Sequence, residues 1–191
     1  MMIDPGDRAR IAAHEAGHCI VAEALHLRPS SVVAIGNEDR ASGWTRHSST
    51  ADPVKAPAVD LAGMLADIAF GADQDDAANR ASGDLEHAHE LAATTADPGA
   101  TMDQAWLIAQ GIVRQHRGAI ERLAADLDAS FWGLSGPELA SAVDAALNPA
   151  PADDDALPGG EASASLVGGR ARQAARATPL RVPGGQLRFR Q

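Results

Sequence analysis

The first long pattern in the chain, "DPGDRARIAAHEAGHCIVAEALHL", runs without an internal helix breaker until Arg28, where Pro29 disfavours continuation. Asp4 is placed as an N-cap and Pro5 as a first helical residue, so the pattern predicts one helix whose "CIVAEAL" half is apolar enough to enter a core. "SSVVAIG" (Ser30 to Gly36) is a β-branched run and "SGWTRHSST" (Ser42 to Thr50) carries Gly43, Trp44 and Thr45; the two predict a pair of strands around the polar turn "NEDRA". "APAVDLAGMLADIAFG" repeats apolar residues at Val59, Ala62, Leu65 and Ala69 and stops at Gly71, the pattern of a second amphipathic helix. The polar stretch "GADQDDAANRASG" reads as a long loop, functional or mobile. Beyond it, Ser82-Gly83-Asp84 opens a helix to about Ala93, and "TMDQAWLIAQGIVRQHRGAIERLAADLDAS" reads as one long helix with Trp106 on its core side. Phe131 and Trp132 are assigned to the core as well. Ser135, with Glu138 three residues on, predicts a capping box for "SGPELASAVDAAL".

After Asn148-Pro149 the composition turns to Pro, Gly, Ala, Ser, Asp and Arg, which bury too little apolar surface to offset their ordering entropy. The expected organisation is a folded domain over 1–148 and a disordered, Arg-rich tail over 149–191. Hydrophobic residues are 45% of the chain but aromatic ones only 3%, and alanine dominates, which favours closely packed helices over aromatic-rich sheets. A mostly α fold with a small two-stranded β element follows.

The net charge of -10 is uneven: residues 151–191 carry six Arg and four acids, and the other 10 basic and 22 acidic side chains lie before them. The body repels nucleic acid, and the tail is expected to be a solvated extension rather than a nucleic-acid site. Cys19 is the single cysteine, which excludes an internal disulfide framework, and no apolar run is long enough to span a membrane. The opening "MMIDPGDRAR" has no apolar secretory segment, so the expected setting is cytoplasmic, with no membrane partner.

The chemistry is concentrated in His14-Glu15-Ala16-Gly17-His18. Residues four apart share a helix face, so the two imidazoles are spaced to converge on one tetrahedral zinc ion, while Glu15 is placed to take a proton from an attacking water. Gly17 costs about 1 kcal/mol of helix propensity relative to Ala; either close approach of another backbone or substrate to the metal, or helix packing, accounts for it. A third ligand is required. Val21 and Ala24 stand where a metzincin has Gly and His, and His26 is about 12 Å along the helix from His18, too far to join. Asp84, Glu86, His87 and His89, in "ASGDLEHAHELA", remain open on chemistry alone. Cys19, followed by Ile20 and Val21, reads as a buried and inert thiol.

"HEAGHCIVAEAL" resembles the zinc-site helix of the FtsH-type ATP-dependent metalloproteases. The likeness continues in order: "VVAIG" with "ASGWT" is similar to the family's two strands, "LAGMLADIAFG" to its "LxGGRxAEExxFG" helix, "ASGDLEHAHELA" to its "GAxxDLxxATxxA", and "IVRQHRGAIERLAADLDASFWGLSGPELASAV" to its closing helical pair. The resemblance covers about residues 8–147 and implies a zincin-type metallopeptidase domain. It implies zinc held by His14, His18 and Asp84, with Glu15 as catalytic base. It implies that Gly43, Trp44 and Thr45 lie on an edge along which an extended polypeptide substrate adds by main-chain hydrogen bonds; core filling is the other account of Trp44. His87 and His89 stand near the implied ligand Asp84 as candidate supporting or transition-state donors.

The chain departs from the family as well. Its only lysine is Lys55, so it has no phosphate-binding loop ending in Gly-Lys-Ser/Thr, and the family's membrane helices are missing. Met64 and Asp67 replace a Gly or Arg and a Glu, substitutions expected to loosen the helix behind the metal. The resulting expectation is a stand-alone zinc endopeptidase for flexible or unfolded polypeptides, fed by a separate ATPase or working through self-association. The alternative is a non-catalytic adaptor that keeps the fold and docks a partner through its tail; Glu15 between the histidines favours the enzyme.

Overall fold

A computed structural model describes residues 5–37, 40–130 and 133–150. Asp4, Phe131, Trp132 and residues 151–191 of the tail lie outside the described residues, and with them the assignments made above for those positions. The chain is mostly helical: α1 (Pro5–Ala24), β1 (Pro29–Asn37), β2 (Arg40–His47), α2 (Lys55–Ala69), α3 (Gln74–Arg80), α4 (Ser82–Ala93), α5 (Pro98–Gln115), α6 (Arg117–Ala129), β3 (Leu134–Ser135) and α7 (Gly136–Leu147) follow in order. No helix among these is long and apolar enough to cross a membrane.

Helix α1 is the axis of the domain. Every residue from Ala12 to Ala22 except His14 is buried, as expected of a helix that is apolar nearly all round. Helices α2 and α6 and strands β1 and β2 pack around it. Gly17 belongs to the α1–α2 contact: a Cβ there would lie 2.7 Å from Ala66 Cβ and 2.9 Å from Ala62 O. With Ala12, Ala16, Ala62 and Ala66 all fully buried, the seam is made of small residues that let the two helices approach closely. The glycine inside the motif is thus explained by helix packing. Helix α1 ends two residues before His26, which takes a left-handed φ of 61° while Leu27 N–H closes onto Ala22 O at 2.8 Å.

The sheet has three strands, not two, in the order β2-β1-β3 and antiparallel throughout. Strands β1 and β2 pair Val32 with Thr45, Val33 with Trp44 and Ala34 with Gly43. The added strand β3 consumes the expected cap of α7. Ser135 is extended at φ -151° and ψ 161°, pairs with Ser31 and makes no side-chain capping bond, so the capping box is not formed.

Two further expectations are corrected. The polar stretch after Gly71 is not a loop throughout: Asp73 accepts hydrogen bonds from the N–H groups of Asp75 and Asp76 at 2.9 and 3.3 Å and starts α3. The long helix from Thr101 is broken at His116 (φ -107°, ψ 20°) into α5, which packs on α2, and α6, which packs on α1. Trp106 is half-buried against the core, as the periodicity placed it.

A side chain at residue 17 has to push the two central helices apart. Gly17→Val is expected to lower unfolding stability by about 1–3 kcal/mol, read as a lower urea midpoint at unchanged slope. A midpoint at or above that of the wild type contradicts the close-packed seam.

Candidate metal centre

Three elements supply the centre. From α1, His14 and His18 stand one turn apart with ring centroids 4.8 Å from each other and planes at 72°. From α2, Asp67 Oδ2 lies 3.0 Å from His14 Nδ1, and Val59 O accepts a 2.7 Å hydrogen bond from His18 Nδ1. Both rings therefore have Nδ1 engaged behind them and Nε2 directed forward. From the first turn of α4, Asp84 Oδ2 comes to 3.1 Å from His14 Nε2 and 3.5 Å from His18 Nε2.

These three residues offer ligand atoms that all lie within 4.8 Å of one another. Nitrogen and oxygen ligands about 2.0–2.2 Å from a tetrahedral ion are about 3.3 Å apart, and the two Asp84 contacts bracket that separation. Gly63 of α2 lies against the ligand atoms themselves: a Cβ there would overlap Nε2 of both His14 and His18. The donor set, two imidazoles and one carboxylate, suits a divalent metal with an open coordination position.

Electrostatics favour a positive charge at this point. Burial opposes charging of His14, but Asp67 and Asp84 outweigh it and push its pKa up to about 10. Burial opposes charging of His18 too, and Asp84 overrides it in the same direction. Burial would raise Asp84, yet the hydrogen bonds with His14 and His18 hold it well below the usual carboxylate range. A metal held by these residues would take the place of those protons.

Glu15 is buried beside the histidines. Thr45 Oγ1 donates a 2.8 Å hydrogen bond to its Oε2, and Gly43 on the same strand is bare of a side chain where the Glu15 carboxylate passes. Burial pushes the Glu15 carboxyl up, while His18 and His14 pull it back. All of these groups line one cavity of about 660 Å³.

The structure thus brings His14, Glu15, His18 and Asp84 together, and it divides the expected edge-strand residues. Gly43 and Thr45 turn toward Glu15; Trp44 is 44% exposed, with the Arg46 guanidinium 5.0 Å from its ring centre, so it is not core filling. The outer side of β2 has no strand partner among the described residues. Of the alternatives to Asp84, Glu86 and His89 are exposed and off the cavity, while His87 lines it and pairs with Asp60 at 2.9 Å. Cys19 is fully buried, and burial pushes its thiol up to about 12.

Sequence reasoning missed the contribution of α2. Asp60, Gly63 and Asp67, three and four residues apart, form one stripe of an otherwise largely apolar helix and face the histidines of α1. Two carboxylates seven residues apart on a buried helix were the available signal. Asp67, expected to loosen the site, holds His14 instead. No protein-family model matches the chain, and a comparison with curated proteins gives no match.

Zinc, cobalt or manganese added to metal-free protein should raise its melting temperature, by the equivalent of about 4 kcal/mol at a thousand times Kd. Asp84→Ala should abolish the rise, and Asp67→Asn should weaken binding by about 10- to 100-fold, measured by titration calorimetry. Equal affinity in wild type and Asp84→Ala would remove Asp84 from the centre.

Proposed function

We propose that this protein is a zinc-dependent endopeptidase that hydrolyses peptide bonds of flexible or unfolded polypeptides. The observation that carries the proposal is the position of Glu15: a buried carboxylate, oriented by Thr45, in the same cavity as the convergent His14, His18 and Asp84. A metal centre kept for stability alone has no use for that carboxylate. The ordered likeness of residues 8–147 to the FtsH-type peptidase domains supports the same reading.

In this proposal His14, His18 and Asp84 hold zinc, which supplies Lewis acidity toward a carbonyl oxygen and a water molecule. Glu15 accepts a proton from the water as its oxygen adds to the carbonyl carbon, then delivers that proton to the amine nitrogen as the C–N bond breaks. Asp67 and the Val59 carbonyl keep the two imidazoles oriented. The free side of β2 offers main-chain donors and acceptors to an extended substrate, and Trp44 an apolar surface beside it. The proposal takes residues 1–148 as the peptidase domain and the cytoplasm as its setting. Its partner, beyond the polypeptide substrate, is a separate ATPase that feeds it or a second copy of the chain.

Glu15→Gln keeps the size and hydrogen-bonding capacity of the side chain but not its basicity. It is expected to bind zinc like the wild type and to lose about 10²- to 10⁴-fold in cleavage of unfolded casein. Full activity in this variant, or wild-type activity that survives chelation, overturns the proposal.

A further inference from the structure

The cavity contains a second histidine–carboxylate pair that the metal ligands do not use. Asp60 follows directly on Val59, the residue whose carbonyl orients His18, and its side chain is only 14% exposed. Its Oδ2 is fully shielded from solvent and receives no hydrogen bond of good geometry from the described residues; its contact is the 2.9 Å ion pair with His87 Nδ1. A carboxylate buried in this way is costly unless a partner compensates it; burial pushes the Asp60 carboxyl up, and the neighbouring His87 and His18 pull it back.

His87 itself is 60% exposed, lies one turn beyond Asp84 on the same side of α4, and lines the cavity with His14, Glu15 and His18. Because Nδ1 is committed to Asp60, Nε2 is the nitrogen left for an occupant of the cavity. A surface histidine that merely solvates a helix needs no buried carboxylate behind it, and a buried carboxylate that merely caps or packs needs no ring at the mouth of a metal cavity.

We propose that His87, oriented by Asp60 and acting in its doubly protonated form, is a further catalytic residue: its Nε2–H donates a hydrogen bond to the carbonyl oxygen of the bond being cleaved as negative charge builds there. The inference rests on the peptidase reading above. As water adds to the carbonyl carbon, the π electron pair moves onto oxygen, where the imidazolium meets it without giving up its proton. On collapse the C=O bond re-forms, the C–N bond breaks, and the amine nitrogen takes its proton from Glu15. His87 ends the cycle as it began, and Asp60 balances its charge throughout.

The test compares wild type, Glu15→Gln, His87→Ala, His87→Gln and Asp60→Asn as zinc-loaded full-length protein on unfolded casein, with zinc content measured for each. His87→Ala should retain zinc and lose about 100-fold in kcat with little change in KM, and His87→Gln, which keeps an N–H near the position of Nε2, should recover part of the loss. Long-range ¹⁵N–¹H spectra of the histidine rings give a readout independent of activity: both ring nitrogens of His87 should be protonated in the wild type, and Nδ1 should lose its proton preference in Asp60→Asn. Wild-type kcat in His87→Ala, loss of zinc from it, or a His87 ring protonated on one nitrogen only in the wild type each overturns the role of His87 while leaving the peptidase reading intact. A wild type no more active than Glu15→Gln overturns the peptidase reading, and the role of His87 falls with it.

Discussion

His14 is held at both ring nitrogens, by Asp67 from α2 and by Asp84 from α4. One side chain of α1 therefore ties three helices together at a point where none of them is free to shift alone. This double contact constrains the rest of the site. With the His14 ring fixed edge-on to His18, the Nε2 atoms converge, and α2 passes so close to them that residue 63 has no space for a side chain. The small-residue seam between Gly17 and Ala62/Ala66 permits that approach. Packing and chemistry are set by the same helix–helix distance.

Glu15 obeys a parallel constraint from the other side of α1. Burial raises the free energy of its charged form, so the carboxylate needs donors and positive charge nearby. Strand β2 provides the hydroxyl of Thr45 and, at Gly43, the space to approach, and the pairing of Thr45 with Val32 fixes the height of that hydroxyl along the helix. On the proposed reading, the strand that orients the base is also the strand whose free side receives substrate, so position along the edge and position relative to Glu15 are set together.

What was legible in the sequence follows from how locally each feature is encoded. Helices α1, α2 and α4 and the β1–β2 pair were marked by apolar periodicity and by Pro29, Gly71 and Ser82 at their ends. Helix α3 was not, because it buries only Ala77 fully and its signal is a single cap, Asp73. The break at His116 was invisible to periodicity: buried Val113 and Ile120 lie seven residues apart and keep phase as though one helix continued. Ser135 carried two compatible signals, a cap and an extended residue, and only the pairing with Ser31, more than 100 residues earlier, decides between them. In the site, the histidine spacing was local and readable. The role of Asp67 was not, because it depends on the rotation of α2 against α1. Trp44 was left between the strand edge and core filling for a similar reason: alternation along β2 assigns it to the face opposite Thr45, and the sequence alone does not say which face is covered.

Packing alone does not account for this cluster. Two imidazoles and four carboxylates, those of Glu15, Asp60, Asp67 and Asp84, are drawn toward the centre of an alanine-rich helical domain, where apolar side chains of similar volume would pack without desolvation penalties. Such groups persist in a core when each polar atom is met by another and the set does something that apolar residues cannot. Here the partners are assembled in pairs, Asp67 with His14, Val59 O with His18, Thr45 with Glu15 and Asp60 with His87, and all of these residues line the one cavity. An ion-pair network built for stability would direct its charges at one another and leave no common open side. This one directs three imidazoles and a carboxylate into a single cavity, an arrangement suited to holding a cation and a polarisable substrate together.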